Sequence, residues 1–460
     1  MSSHNLKHTL LILFLIIITL FGFIHPVFAV DGNNSQKDIN INDITTNSSS
    51  CLLMDAKTGK IIYAKNAYEK LYPASTTKLM TAILTLENCK LTDTAIVSHN
   101  AIYSIPVGYS HASLKEDEEL TIEQLLNVLL IPSANDAAIV LAEHISGSVE
   151  EFSKLMNEKA KSLGCLNTNF VNPNGIQNKN HYSTAYDLAL IGKYALKFPD
   201  IKRIAMVKQY TLPTTNKYDK TDRIFNATNG LINDDVLNKN YYEYATGLKT
   251  GYTDASGYCI VSTAKKDDKE LIAVILNSDS ISKRYSDCKT LFNYGFDNYE
   301  YITIQDEKAV VKQVEIENGS KSSKNLNVVV KDKIEVFTKN DTDLSKLEPT
   351  IEINENLKAP LAENTVIGKI TYNIDSEEIT SDLISGGSVY PSDFEITIFR
   401  ILLLFLILYA VFKLLKHFSK KKPNNRNSSN KRIKSKSSSK ERSSHKGRGK
   451  LKFTQISDYF

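Results

Sequence analysis

The 460-residue chain has no tryptophan, eleven prolines and only five cysteines. The cysteines, Cys51, Cys89, Cys165, Cys259 and Cys288, are odd in number and show neither Cys-x-x-Cys nor zinc-ligand spacing. Such a set supplies no disulfide framework and no thiolate metal site. Cys51 and Cys259 fall in apolar runs and read as buried thiols, so a catalytic cysteine, a metal, a cofactor and an essential disulfide are all expected to be absent. A large net charge is missing too, since 56 basic and 52 acidic residues leave +4. That balance conceals a segregation: acids become scarce after Lys413, and a basic tail is offset by an acidic remainder.

The two ends carry addressing signals. Lys7, the apolar stretch Leu10 to Phe23 and the small-residue site Val27-Phe28-Ala29 make residues 1–29 a secretory signal peptide. Residues 30–47, rich in Asn, Asp and Thr, read as a linker. Near the other end, residues 396–415, flanked within by Arg400 and Lys413, have the length of about 20 residues that crosses a bilayer. This stretch is apolar all round, which favours a span over an interfacial helix. Residues 416–460 are rich in Lys, Ser and Asn; the positive-inside rule leaves them in the cytoplasm and the rest outside the membrane. Their composition implies disorder and attraction to anionic lipid, and no nucleic-acid partner is expected.

Three short runs then carry chemistry: Ser75-Thr76-Thr77-Lys78, Ser133-Ala134-Asn135 and Lys249-Thr250-Gly251. Singly they are weak, because Ser286/Lys289, Ser437/Lys440 and Lys57-Thr58-Gly59 repeat the same patterns. Context selects among them. Tyr72-Pro73-Ala74 feeds Ser75 into an apolar run, so Ser75 is expected at a helix N-terminus with Lys78 one turn along on the same face. A serine hydroxyl needs an adjacent base, and a lysine serves only when neutral. Lowering its pKa from about 10.4 to about 8 costs about 3 kcal/mol. Burial beside a second cation supplies such a shift, and Lys249 is the candidate. Ser133 and Asn135 sit between the helical stretches Ile122 to Leu130 and Ala137 to His144, where they can face a cleft. Lys249-Thr250-Gly251 precedes two β-rich runs, 257–264 and 271–276, and its glycine lets backbone approach a ligand. Lys57 to Gly59 reads as a hairpin turn.

In this order, the motifs make residues 48–298 resemble the low-molecular-mass penicillin-binding proteins, the D-alanyl-D-alanine carboxypeptidases of the serine β-lactamase and transpeptidase superfamily. Phe170-Val171-Asn172-Pro173-Asn174-Gly175-Ile176, His181-Tyr182-Ser183-Thr184-Ala185 and Gly247 to Thr253 look typical of that family as well. The resemblance implies Ser75 as the acylated nucleophile, Lys78 as its general base (an assignment disputed in related enzymes), and Ser133 as the proton relay to the leaving D-alanine. It implies Asn135 on a substrate amide, Lys249 and Thr250 on the terminal carboxylate, and the N–H groups of Ser75 and Tyr252 as the oxyanion hole. Arg284 is a second carboxylate contact or a solvated surface charge. Asn174 and Tyr252 stand where many relatives have histidine, and neither side chain is given a catalytic role; His181 reads as structural.

The implied partners are a peptidoglycan muramyl pentapeptide, β-lactam antibiotics as inhibitors, and membrane lipid. The alternatives are a D,D-endopeptidase, a class A-like β-lactamase, and a wall-binding scaffold without turnover. The β-lactamase needs a glutamate to activate the deacylating water, and residues 167–176 contain none. The expected fold is α+β: an antiparallel sheet flanked by helices with a helical subdomain, then a small β-sandwich over 299–392, then the transmembrane helix. Six short strands between Ala309 and Ile370 motivate the sandwich.

Overall fold

The computed structural model describes residues 44–220, 222–374 and 377–419. The signal-peptide reading, most of the linker reading and the tail beyond residue 419 lie outside them. The chain forms two compact units. One holds the residues up to Val314 with Asn327–Asn356 and Ala362–Gly387; the other holds Glu315–Leu326, Leu357–Leu361 and the chain from Ser388.

Five antiparallel strands make the central sheet of the first unit: β1 (Ser50–Asp55), β2 (Ile61–Lys65), β3 (Ala245–Thr253), β4 (Gly257–Lys266) and β5 (Lys269–Ser278), in the order β2-β1-β5-β4-β3. Both faces are covered, which is why these strands read as continuous apolar runs. Side chains of a strand alternate between faces. Leu52, Met54, Ile272, Val274 and Leu276 enter a core shared with the helices α1 (Lys78–Asn88), α2 (Ile122–Leu130), α3 (Asn135–Ser146) and α4 (Ala185–Ala195). Cys51, Leu53, Leu271, Ala273 and Ile275 pack on the opposite side against α5 (Ile281–Asn298). Each fully buried aliphatic side chain contributes about 1.5–3 kcal/mol. All four thiols at Cys51, Cys165, Cys259 and Cys288 are buried, and no disulfide joins cysteines among the described residues.

Strand β3, with its Lys-Thr-Gly run, is an edge strand, so its outer side is free to face the helical subdomain. That subdomain is fixed by local signals. Thr121 and Gln124 form a reciprocal capping box at the start of α2, Thr121 Oγ1 accepting from Gln124 N and Gln124 Oε1 from Thr121 N. Lys57 to Gly59 forms the β1–β2 turn, with Gly59 at φ +87°. At the entry to the domain, the Asp287 carboxylate accepts from Asn47 N, Asn47 Nδ2, Ser48 N and Ser48 Oγ. The last residues assigned to the linker are therefore docked, not free.

Beyond α5, Tyr299–Gln305 pairs with Ile334–Lys339, and a five-stranded sheet follows the order Val310–Glu315, Asn325–Val330, Glu377–Ser385, Val366–Ile374, Thr350–Ile353. Two runs read separately in the sequence, 309–311 and 314–316, belong to one strand. Strands 299–305 and 377–385 escaped notice because charged and hydroxyl residues dilute their apolar alternation. The last described element is the helix Ser392–Ser419, of which Ser392–His417 is long and apolar enough to cross a membrane.

Candidate active site

Ser75 lies in a 3-10 turn, Ala74–Thr77, and the α-helix proper begins at Lys78. The expected helix N-terminus is thus a 3-10 turn that runs directly into the α-helix. The tighter turn keeps residues three apart on one face, and Lys78 Nζ lies 2.9 Å from Ser75 Oγ. Ala74 carries a left-handed φ of +48° and Ser133 one of +70°. Backbone strain of this kind costs about 1–3 kcal/mol at each residue and persists where packing enforces it.

Lys78 is fully buried. Its amine contacts Asn135 Oδ1 at 2.7 Å and the carbonyl of Asn174 at 2.8 Å. Burial, and then the charge of Lys249, push Lys78 well below the usual lysine range, with Asp136 opposing. A neutral amine has two N–H donors and one lone pair. The two oxygens take the donors, which leaves the lone pair for the Ser75 hydroxyl proton.

Asn135, the first residue of α3, donates from Nδ2 to the carbonyl of Ser110 at 2.8 Å. Ser110 Oγ donates in turn to the carbonyl of Ser133. The adjacent Asp136 carboxylate accepts from Ala112 N, Leu114 N and Ala137 N, so its charge is spent in tying down the 110–114 loop. Burial raises its pKa above the ordinary carboxylate value against those donors. Ser133 is 6% exposed and its Oγ has no hydrogen-bond partner. Such a hydroxyl is free to pair with a bound molecule.

On the facing strand β3, Lys249 is 1% exposed and donates to the Thr250 carbonyl at 3.1 Å. Burial first and Arg284 second lower it to about 7. Thr250 Oγ1 pairs with Thr228 Oγ1 at 2.7 Å. A Cβ on Gly251 would fall 2.9 Å from Ser75 N and 3.0 Å from Ala74 Cβ, so the strand comes this close to the serine only because that residue is glycine. Tyr252 turns its side chain outward, where its hydroxyl meets Asp254. Arg284 is not a solvated charge: it is 4% exposed, donates to the Cys259 carbonyl at 3.3 Å, and stacks on Tyr285 at 4.3 Å.

The three motifs thus converge on one cleft. Sequence reasoning missed the main chain of Asn174, whose carbonyl contacts both Lys78 Nζ and Ser75 Oγ. A side-chain motif cannot register a backbone acceptor, but the Asn172-Pro173-Asn174-Gly175 turn was a usable signal. Asn172 Oδ1 accepts from Gly175 N, and Gly175 adopts φ +82°. A Cβ there would sit 1.8 Å from the Ala74 carbonyl oxygen. His181 is buried; its Nδ1 accepts from Val171 N, so Nε2 carries the proton and donates to Thr77 Oγ1 at 2.8 Å. Among the described residues no cluster of His, Cys, Asp and Glu is arranged to hold a metal.

Comparison with known proteins identifies the family. Residues 35–280 match the D-alanyl-D-alanine carboxypeptidase family, and residues 299–390 match the penicillin-binding protein 5 C-terminal domain. The D-alanyl-D-alanine carboxypeptidase DacF of Bacillus subtilis is 32% identical over 372 residues, covering 80% of this chain and 92% of its own. The crystal structure of penicillin binding protein 5 from Haemophilus influenzae superposes with a TM-score of 0.62 at 28% identity, over 76% of this chain and all of that one. The Streptomyces K15 DD-transpeptidase gives 0.51 at 32% identity, over 55% of this chain and 98% of that one. The chain therefore belongs to the serine-type D-alanyl-D-alanine carboxypeptidases of the penicillin-binding protein family.

Proposed function

We propose that this cleft removes the terminal D-alanine of a peptidoglycan muramyl pentapeptide through an acyl-Ser75 intermediate. The observation that carries the reading is the buried Lys78 amine, 2.9 Å from Ser75 Oγ with both its donors engaged elsewhere. Lys249 and Thr250 hold the terminal carboxylate and Asn135 a substrate amide, as the scissile carbonyl settles beside Gly251. Ser75 Oγ attacks that carbonyl and its proton passes to Lys78. The backbone N–H groups of Ser75 and Tyr252 receive the oxyanion, an interaction whose loss costs about 3 kcal/mol in other enzymes. As the tetrahedral adduct collapses, Ser133 relays a proton from Lys78 to the departing nitrogen of D-alanine. Water then attacks the ester with Lys78 as base, releasing the shortened peptide and free Ser75.

β-Lactams acylate the same serine in this reading, and slow deacylation follows because the Asn167 to Ile176 segment offers the site a carbonyl instead of a carboxylate. Arg284 supports the Lys-Thr-Gly strand from behind and adds positive potential to the carboxylate pocket. Residues 396–415 span the membrane, with the catalytic domain outside and the basic tail in the cytoplasm near anionic lipid. The test is release of D-alanine from a D-Ala-D-Ala pentapeptide by the detergent-solubilised full chain and its Ser75→Ala variant. Release that disappears in the variant supports the reading. Penicillin labelling of Ser75 without release points to an endopeptidase, and no labelling points to the scaffold.

A further inference from the structure

A recess of about 300 Å³ opens beside the catalytic segment, lined by Lys70, Leu71, Tyr72, Lys179, Tyr182, Ala255, Ser256 and Asn277. Two of its walls belong to elements that position the site. Leu71 and Tyr72 lead into the Ser75 turn, and Ala255 and Ser256 form the turn that follows the Lys-Thr-Gly strand. Its two cations, Lys70 and Lys179, make no ion pair with a carboxylate among the described residues, and Lys70 Nζ rests over the Tyr182 ring at 4.8 Å. The turn is braced by its own side chain: Ser256 Oγ donates to the Gly257 carbonyl and accepts from Thr253 N.

The direction of bound substrate follows from the proposed function, on which this inference rests. With the terminal carboxylate at Lys249 and Thr250 and the scissile carbonyl at Gly251, the upstream part of the donor peptide leaves past Tyr252 and Thr253. Each extended residue advances about 3.3 Å, so the residue before the penultimate D-alanine reaches the end of β3, where the recess begins. We propose that this recess is a subsite for an acidic side chain at that third position of the acyl donor, its carboxylate received by Lys70 and Lys179. Two lysines with no carboxylate in ion-pair contact, Lys70 feeling the buried Asp187 only at longer range, gain from a ligand that brings one. The aromatic edges of Tyr72 and Tyr182 cover the aliphatic stem of such a side chain.

Two N-acylated peptides ending in D-Ala-D-Ala test this, identical except that the third residue carries a free side-chain carboxylate in one and its carboxamide in the other. Affinities are read by calorimetry on the full chain bearing Ser75→Ala, and kcat/KM on the active protein. The acid is expected to bind about 10-fold tighter at low salt, in keeping with two partly exposed charge-assisted contacts, with the preference falling as ionic strength rises. Lys70→Ala/Lys179→Ala should abolish the preference while leaving penicillin acylation of Ser75 and carboxamide binding unchanged. Equal affinity for the two peptides, or a preference that survives the double substitution, overturns the subsite. Because binding is measured without turnover, tighter binding of the acid with no D-alanine release keeps the subsite and rejects the carboxypeptidase reading.

Discussion

Gly175→Ala is expected to disable acylation while leaving the fold standing. The residue adopts φ +82°, and an added Cβ would lie 1.8 Å from the Ala74 oxygen, 2.3 Å from the Ala74 carbonyl carbon and 3.0 Å from Ser75 N. Reaching the 3.4 Å at which ordinary contact begins requires the two segments to part by about 1.6 Å. Ala74 and Ser75 have little room for local adjustment, because Gly251 lies so near that even a Cβ there would fall 2.9 Å from Ser75 N. A left-handed alanine costs about 1–2 kcal/mol, which lowers Tm by about 2–4 °C per kcal/mol in a domain of this size. The larger effect is on geometry, since a displacement of about 1 Å in reacting groups can cost 100-fold in rate. The second-order rate of acylation by a fluorescent penicillin should therefore fall by about 100-fold or more. Gly147→Ala serves as control, having φ +76° with nothing within 4 Å of its Cβ; it should lose stability and keep its acylation rate. Acylation within threefold of the parent in Gly175→Ala would refute the claim that the Asn174-Gly175 turn sets the position of the serine.

Lys249→Gln removes a cation that depresses Lys78; the acidic limb of the acylation pH profile should move to higher pH, and an unmoved limb would mean that burial alone keeps Lys78 neutral. His181 is lowered by burial to about 3 from an ordinary value of 6.5. A base depressed in the folded state takes up protons on unfolding, so stability is lost as pH falls from about 6.5 towards 3, by up to about 5 kcal/mol. His181→Gln should flatten the urea midpoint between pH 7 and 4, whereas an equally steep dependence would assign it to other groups. Asp287→Ala frees the donors of Asn47 and Ser48; buried donors left unpaired cost about 1–3 kcal/mol each, so Tm should drop by several degrees at an unchanged acylation rate, and an unchanged Tm would show that water replaces the carboxylate.

The convergence of the three motifs was readable because the proposed chemistry needs particular side chains at fixed spacing: Lys78 reaches Ser75 from one turn away, and a glycine follows Lys249-Thr250 where the strand meets the serine turn. The central strands β1, β4 and β5 were legible for a different reason, since a sheet buried on both faces leaves uninterrupted apolar runs. What stayed hidden depends on the main chain or on tertiary context. The Asn174 carbonyl has no side-chain signature. The burial of Arg284 cannot be inferred from Lys283-Arg284-Tyr285, because its position depends on how α5 crosses the sheet. The strand Glu377–Ser385 is half polar and is held by ladder bonds to Val366–Ile374, which alternation alone does not reveal.

The charges around the serine are out of balance, and that imbalance ties binding to catalysis. Lys78, Lys249 and Arg284 are all buried, and the carboxylate that acts on Lys78, Asp136, has its oxygens taken by three backbone N–H groups. Without substrate, burial and mutual repulsion keep that positive charge down, lowering Lys78 well below the usual lysine range and Lys249 to about 7. In the proposed mechanism, a terminal carboxylate arriving at Lys249 and Thr250 supplies the missing anion and raises the proton affinity of Lys249. The proton leaving Ser75 on Lys78 adds a further cation, offset by the oxyanion formed in the same step. A donor whose terminal carboxylate is converted to an amide should then lose more in the acylation rate than in binding, because its site lacks the negative charge that lets Lys78 accept a proton beside Lys249. Single-turnover acylation by paired esters with and without that carboxylate separates the two effects, and a loss confined to binding would show that the carboxylate acts as an anchor alone.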